Sequence, residues 1–177
     1  MLDNEIIDQS CDRHGTERHM YIHEAGHAVA ALDNGIPFRA VIVYADGDGP
    51  KLNGVLREAW AEVDTGPDPS VWVEVDRVKA FRFVCAGAAA ETALLEHAIE
   101  GGFDEDFKVW RVGAGATQPM NEAQVDEAIG AHHQDIVDET DEWAGQNAGR
   151  IITLADHLGA LSPTAEVLYD EVVRLMS

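Results

Sequence analysis

The sequence predicts an α+β fold, mainly helical, with a small β-sheet and a C-terminal helical bundle. Apolar residues recur at helical spacing from about residue 17 to 34, again over 70–91, and through most of 120–175. A single β-branched run at 38–44 has the length of a strand and sits between breakers. The 177 residues suffice for one domain with a proper core. That domain is expected over 17–177, behind an N-terminal arm at 1–16.

The elements follow in order. Residues 1–16 are polar and mixed. Cys11 and His14 make a Cys-x-x-His pair, but the second spaced pair of a zinc finger is missing. Thr16 is the N-cap of the first helix, and Asn34-Gly35 followed by Pro37 stops it. Ile22, Ala25, Val29 and Leu32 form its apolar stripe and leave histidines 23 and 27 on another face. His19 lies one turn earlier. Histidines 19, 23 and 27 span about 12 Å along a straight helix, too far for one tetrahedral ion, so His19 reads as an exposed first-turn residue.

The strand at 38–44 leads into the turn cluster Asp46-Gly47-Asp48-Gly49-Pro50, and residues 52–56 are expected to pair back as a hairpin. An extended peptide adding to such an edge is the functional alternative to a plain hairpin. A Pro/Gly loop at 64–69 ends at Ser70, the expected cap of a long helix with a stripe of Val71, Val75, Val78, Phe81, Cys85 and Ala88. Within it, the small residues Ala86-Gly87-Ala88-Ala89-Ala90 permit another helix, such as the first, to approach closely. Gly101 and Gly102 are expected to end that helix. Asp104 caps the next one and places Asp106 in its first turn, where acids complement the helix dipole.

After a loop at 113–119, residues 120–158 read as mostly helix, with Ile136, Trp143, Ile151, Leu154 and Leu158 facing inward and Gly145 and Gly149 as interruptions. His132, His133 and His157 read as surface residues. Ser162-Pro163 makes an N-cap and N1 pair for a last helix carrying Leu168, Val172 and Leu175.

Composition excludes several classes of function. The formal net charge of −21 repels phosphates and anionic lipid, so neither nucleic acid nor a membrane surface is an expected partner, while cationic peptides are attracted. No apolar run approaches the roughly 18 residues of a membrane span. The acidic start lacks the form of a signal peptide. The two cysteines, Cys11 and Cys85, are no disulfide framework, and a cytoplasmic setting is expected. Cys85 sits in an apolar run and reads as a buried thiol.

The chemistry concentrates at His23-Glu24-Ala25-Gly26-His27, an H-E-x-x-H motif on a helix. Residues four apart share a face, so His23 and His27 can offer nitrogens to one zinc ion. Glu24 stands beside the metal as general base, taking a proton from water and passing it to a leaving amine. Tyr21 and the remaining histidines are candidates to stabilise the oxyanion.

Together, His23-Glu24-Ala25-Gly26-His27-Ala28, the following Gly35-Ile36-Pro37 and strand, Ala86-Gly87-Ala88-Ala89-Ala90-Glu91 and the glycine-led acids at 102–106 resemble the peptidase domain of the FtsH-type zinc metalloproteases. The resemblance spans roughly residues 20–177 and is loosest in the tail. It implies a zincin-like helix and one catalytic zinc. It also implies a third ligand from an aspartate on a later helix, which falls at Asp106, with Asp104 as the alternative. It implies hydrolysis of peptide bonds in flexible or unfolded protein segments. The family's ATPase module has no counterpart here, since no G-x-x-x-x-G-K-[ST] occurs, so a separate ATPase motor or a homo-oligomer is the implied partner. Two alternatives stand beside this reading: a non-catalytic metal- or peptide-binding regulatory module on the same scaffold, against which the intact Glu24 argues, and an unrelated short H-E-x-x-H peptidase with a downstream Glu as third ligand.

Overall fold

A computed structural model describes residues 16–44, 61–99, 102–162 and 165–177. The chain runs α1 (Thr16–Asn34), β1 (Ala40–Val43), β2 (Ala61–Val63), α2 (Ser70–Val73), α3 (Arg77–Leu95), α4 (Gly102–Gly113), α5 (Glu122–Ile129), α6 (His133–Gln146), α7 (Ala148–Leu161), β3 (Ala165–Leu168) and α8 (Tyr169–Leu175). The fold is α+β and mainly helical, as the periodicities predict, with one small antiparallel sheet.

α1 is the axis of the molecule. Between Tyr21 and Ala31 every residue is buried except Glu24. It packs on α3 along one side and on α7 along another. The approach to α3 is close because the facing residues are small. A Cβ on Gly26 would lie 2.6 Å from the Ala86 carbonyl oxygen and 2.7 Å from the Ala90 Cβ. The small-residue run of α3 therefore does what its composition suggests. α1 stops where expected: Gly35 has φ +69°, Gly35 N–H donates to Leu32 O and Ile36 N–H to Ala31 O. This is a Schellman ending, with buried Ile36 as its apolar anchor.

The sheet has the order β2-β1-β3. Val41 stands opposite Val63 on one side and Val167 on the other, and Val43 opposite Ala61 and Ala165. Val41, Val43, Val167 and Ala165 face the core, while Glu166 and Leu168 face out. The expected strand at 38–44 is present in shortened form. The hairpin partner expected at 52–56 lies outside the described residues, as do the turn at 46–50, the arm at 1–15, Cys11 and His14. The first helix already begins at Thr16, and the residue before it is not described.

Several expectations are corrected. Ser70 opens only a single turn, and the long helix starts again at Arg77 because Asp76, extended at φ −152°, accepts the Lys79 N–H and caps it. That restart shifts the helical phase, so Val71 and Val75 are exposed at 60% and 84% while Phe81 and Cys85 are buried. α3 ends not at the glycines but at Glu96, which takes a left-handed φ of 68°. α4 begins at Gly102, so Asp104 lies in its first turn and Asp106 in its second. In the tail, Ser162 ends α7 rather than opening a helix, and residues 165–168 form a strand because β1 offers them an edge. Leu168 is half exposed on that strand.

Over 120–158 the helical reading holds, but the breaks fall at Gly130, with φ +79°, and at Asn147; Gly145 and Gly149 lie inside helices. Ile136, Ile151, Leu154 and Leu158 are buried, and Trp143 partly so, its indole N–H donating to Asp33. Buried apolar residues from Tyr21 to Val172 join in one cluster. Cys85 is a buried thiol, pushed up to about 12 by burial and by Asp141 and Asp106. No described helix is long and apolar enough to cross a membrane.

Candidate metal centre

Two elements, α1 and α4, deliver three side chains to a point walled by α3. α1 supplies His23 and His27, one turn apart on the same face. Their Nε2 atoms lie 3.0 Å from each other. α4 supplies Asp106, whose Oδ2 lies 2.9 Å from His23 Nε2 and 3.1 Å from His27 Nε2. His23, His27 and Asp106 are the group among the described residues whose donor atoms converge as a metal site requires. Asp104 is exposed and takes no part.

Asp106 is aimed by its helix. Phe103, Phe107 and Trp110 make the inward stripe of α4, with Phe107 stacked on Trp110 at 5.5 Å and Trp110 edge-on to Phe81 of α3 at 5.1 Å. Trp110 is fully buried. Asp106 falls three residues after Phe103 and four before Trp110, so it shares their face; Asp104 and Glu105 do not.

The other ring nitrogens are anchored. His27 Nδ1 donates to the Phe83 carbonyl oxygen at 2.7 Å, and His23 Nδ1 donates to Glu91 Oε1 at 2.6 Å. A carbonyl and a carboxylate can only accept, so both Nδ1 atoms carry hydrogen. In the neutral imidazoles, both Nε2 atoms then present lone pairs. The site thus gathers two nitrogen lone pairs and a carboxylate oxygen within 3.1 Å of one another. Three acceptors facing each other repel unless a positive charge lies among them.

The titration behaviour expresses the same demand. Burial alone would lower the His23 pKa, but the Asp106 and Glu91 carboxylates outweigh it and hold the imidazole well above its ordinary 6.5. Burial alone would raise Asp106, but His27 and His23 hold its carboxyl far below the usual range. Glu24 is displaced the other way: burial raises its carboxyl, and the two imidazoles pull it back only in part.

The donors suit zinc. Two His nitrogens and one carboxylate oxygen are a common catalytic zinc set, and donors about 2.0 Å from one ion at tetrahedral angles stand about 3.3 Å apart, close to the separations here. The anchors suit it too, since ligating histidines donate their second N–H to a carboxylate or carbonyl. Asp106 and Glu91 together supply two negative charges, matching a dication. Space is kept open by Gly87. A Cβ there would lie 2.5 Å from His23 Nε2 and 2.6 Å from His27 Nε2.

Glu91 is the residue that motif reading underrated. It is 2% exposed, and besides His23 it accepts from His19 Nδ1 at 2.7 Å and from Ile99 N–H at 2.9 Å, both at Oε2. An acid inside an otherwise small and apolar helical run was the available signal. His19, expected at the surface, is completely buried, because the α1 face that carries the histidines is covered by α3 rather than by water. Of the other histidines, His133 pairs with Asp126 at 2.6 Å and His157 with Glu171 at 3.1 Å, while His132 is exposed. Tyr21 donates its hydroxyl to Ser162 Oγ at 2.8 Å and so is committed elsewhere than the oxyanion. No family model matches the chain, and no curated protein matches it significantly.

Proposed function

We propose that this chain is a zinc-dependent metalloendopeptidase resembling the FtsH-type peptidases, with zinc held by His23, His27 and Asp106. The observation that carries the reading is the convergence of those three acceptor atoms within 3.1 Å, on tautomers fixed by Phe83 and Glu91. Bound there, zinc would lower the pKa of water and polarise the scissile carbonyl.

The rest falls to the chain's own groups. Glu24 is the one residue of the Tyr21–Ala31 stretch that is not fully buried, so part of its surface reaches solvent. No described residue hydrogen-bonds its carboxylate, which leaves both oxygens available to a proton. Glu24 takes a proton from the attacking water as the new C–O bond forms. It returns that proton to the amide nitrogen as the C–N bond breaks, giving a free acid and a free amine. Its raised pKa favours the shuttle, because a carboxylate poised nearer neutrality both accepts and gives up a proton.

Flexible or unfolded segments are the substrate class that the resemblance to the FtsH-type peptidases implies. The net charge of −21 favours cationic segments over acidic ones and disfavours nucleic acid. The test is Glu24→Gln, assayed on casein with zinc content measured alongside. Retained zinc and hydrolysis lowered at least 1,000-fold, about 4 kcal/mol of barrier, is the expected result. Equal cleavage by variant and parent defeats the reading. Zinc bound by the parent with no hydrolysis of any unfolded substrate selects the regulatory module instead.

A further inference from the structure

We propose that His19, which lies outside the H-E-x-x-H motif, is a positioning residue of the metal centre, acting on His23 through Glu91. The proposal rests on the zinc reading above and adds a second tier to it.

Glu91 must hold one orientation to fix the His23 tautomer. Its Oε1 accepts from His23 Nδ1 at 2.6 Å. A carboxylate held by one oxygen alone can rotate about its side-chain bonds. Here the second oxygen is held twice, by His19 Nδ1 at 2.7 Å and by the Ile99 backbone N–H at 2.9 Å. His19 is fully buried, and its ring lies 4.4 Å from that of His97, whose Nδ1 donates to Leu95 O at 2.8 Å. The residues after α3 thereby close over the same carboxylate. His19 and His23 sit one turn apart on α1, so a single buried acid on α3 accepts from both and ties the two helices at the metal centre's back wall.

The geometry has a chemical consequence. A carboxylate that loses one of its donors can turn about its side-chain bonds, and a turned Glu91 no longer meets His23 Nδ1 in line. The His19 donor keeps Glu91 in place. His23 Nε2 then keeps its lone pair directed at Asp106 and His27. Removing the donor loosens His23 without touching any ligand, and outer partners of ligating histidines commonly govern metal affinity.

The experiment compares three variants of the full chain by zinc competition against a chelating dye, with the fold checked by circular dichroism. His19→Asn places an amide N–H near the position of Nδ1, His19→Gln places it near Nε2 instead, and His19→Leu removes the donor. The expected result is near-parental zinc affinity in His19→Asn, and a loss of about tenfold in His19→Gln and His19→Leu. Should His19→Leu fail to fold, the Asn and Gln pair decides. Equal zinc affinity in the folded Asn and Gln variants, or parental affinity in a folded Leu variant, overturns the role of His19 while leaving the zinc site standing. A parent chain that takes up no zinc overturns the site itself, and this role with it.

Discussion

Gly87→Ala is the substitution whose effect follows most directly from the geometry. The added Cβ would stand 2.5 Å from His23 Nε2, 2.6 Å from His23 Cε1 and 2.6 Å from His27 Nε2. Ordinary carbon contacts lie near 3.5 Å, so each falls about 0.9–1.0 Å inside contact distance. Neither ring can retreat freely. His23 is tethered at Nδ1 to Glu91, and His27 to Phe83 O, both on the same helix as Gly87. Sliding α3 away would carry those tethers with it and open the Gly26 contact as well. The strain is therefore absorbed by turning the imidazoles, which removes their Nε2 atoms from the shared point. Overpacking of this kind destabilises by about 1–3 kcal/mol, but the larger effect should be on metal. We expect zinc affinity to fall by at least 100-fold, about 2.7 kcal/mol, in a protein that remains folded. Zinc competition on the purified variant measures the first, and thermal unfolding without zinc the second. Parental zinc affinity in Gly87→Ala would refute the placement of both rings.

Two further outcomes are expected. Without metal, His23 is raised above its unfolded-state value, so its contribution to stability is complete below about pH 6.5 and is lost as pH rises through its folded value. Asp106 is lowered, so its contribution persists above the ordinary carboxylate range and disappears only as pH falls far below it. Zinc competes with the His23 proton, so the difference in Tm with and without zinc should widen from pH 5.5 to 8.5; a constant difference contradicts the site. Gly145 and Gly149 have nothing within 4 Å of an added Cβ and lie in α6 and α7, so replacing both by Ala should stabilise by about 1 kcal/mol and leave zinc binding unchanged, read by urea unfolding. Destabilisation there would show that those helices meet something besides solvent.

Much of the site's location was legible because its parts are local. Helical periodicity puts His23 and His27 on one face whatever surrounds them. The close packing of α1 on α3 follows from small residues at Gly26, Ala86, Gly87 and Ala90. Asp106 over Asp104 was also legible, in hindsight of the stripe: Phe103, Phe107 and Trp110 define an inward face that includes 106 and excludes 104 and 105. The placements of His19 and Glu91 were not, because both depend on which helix covers α1, and no local pattern states that. The break at Asp76 was missed because Ser70 and Asp76 are both competent caps and only the fold selects between them. The strand at 165–168 was missed for a related reason. Its four residues have no strand character strong enough to outweigh Ser162-Pro163 until β1 provides an edge.

The most direct measurement is the metal content of the purified chain, paired with zinc-edge X-ray absorption on the loaded protein and on Asp106→Ala and Asp104→Ala. One zinc per chain, two imidazole nitrogens in its coordination, loss of affinity in Asp106→Ala and none in Asp104→Ala is the predicted result. A chain without stoichiometric metal, or a zinc whose spectrum shows no imidazole, would contradict it.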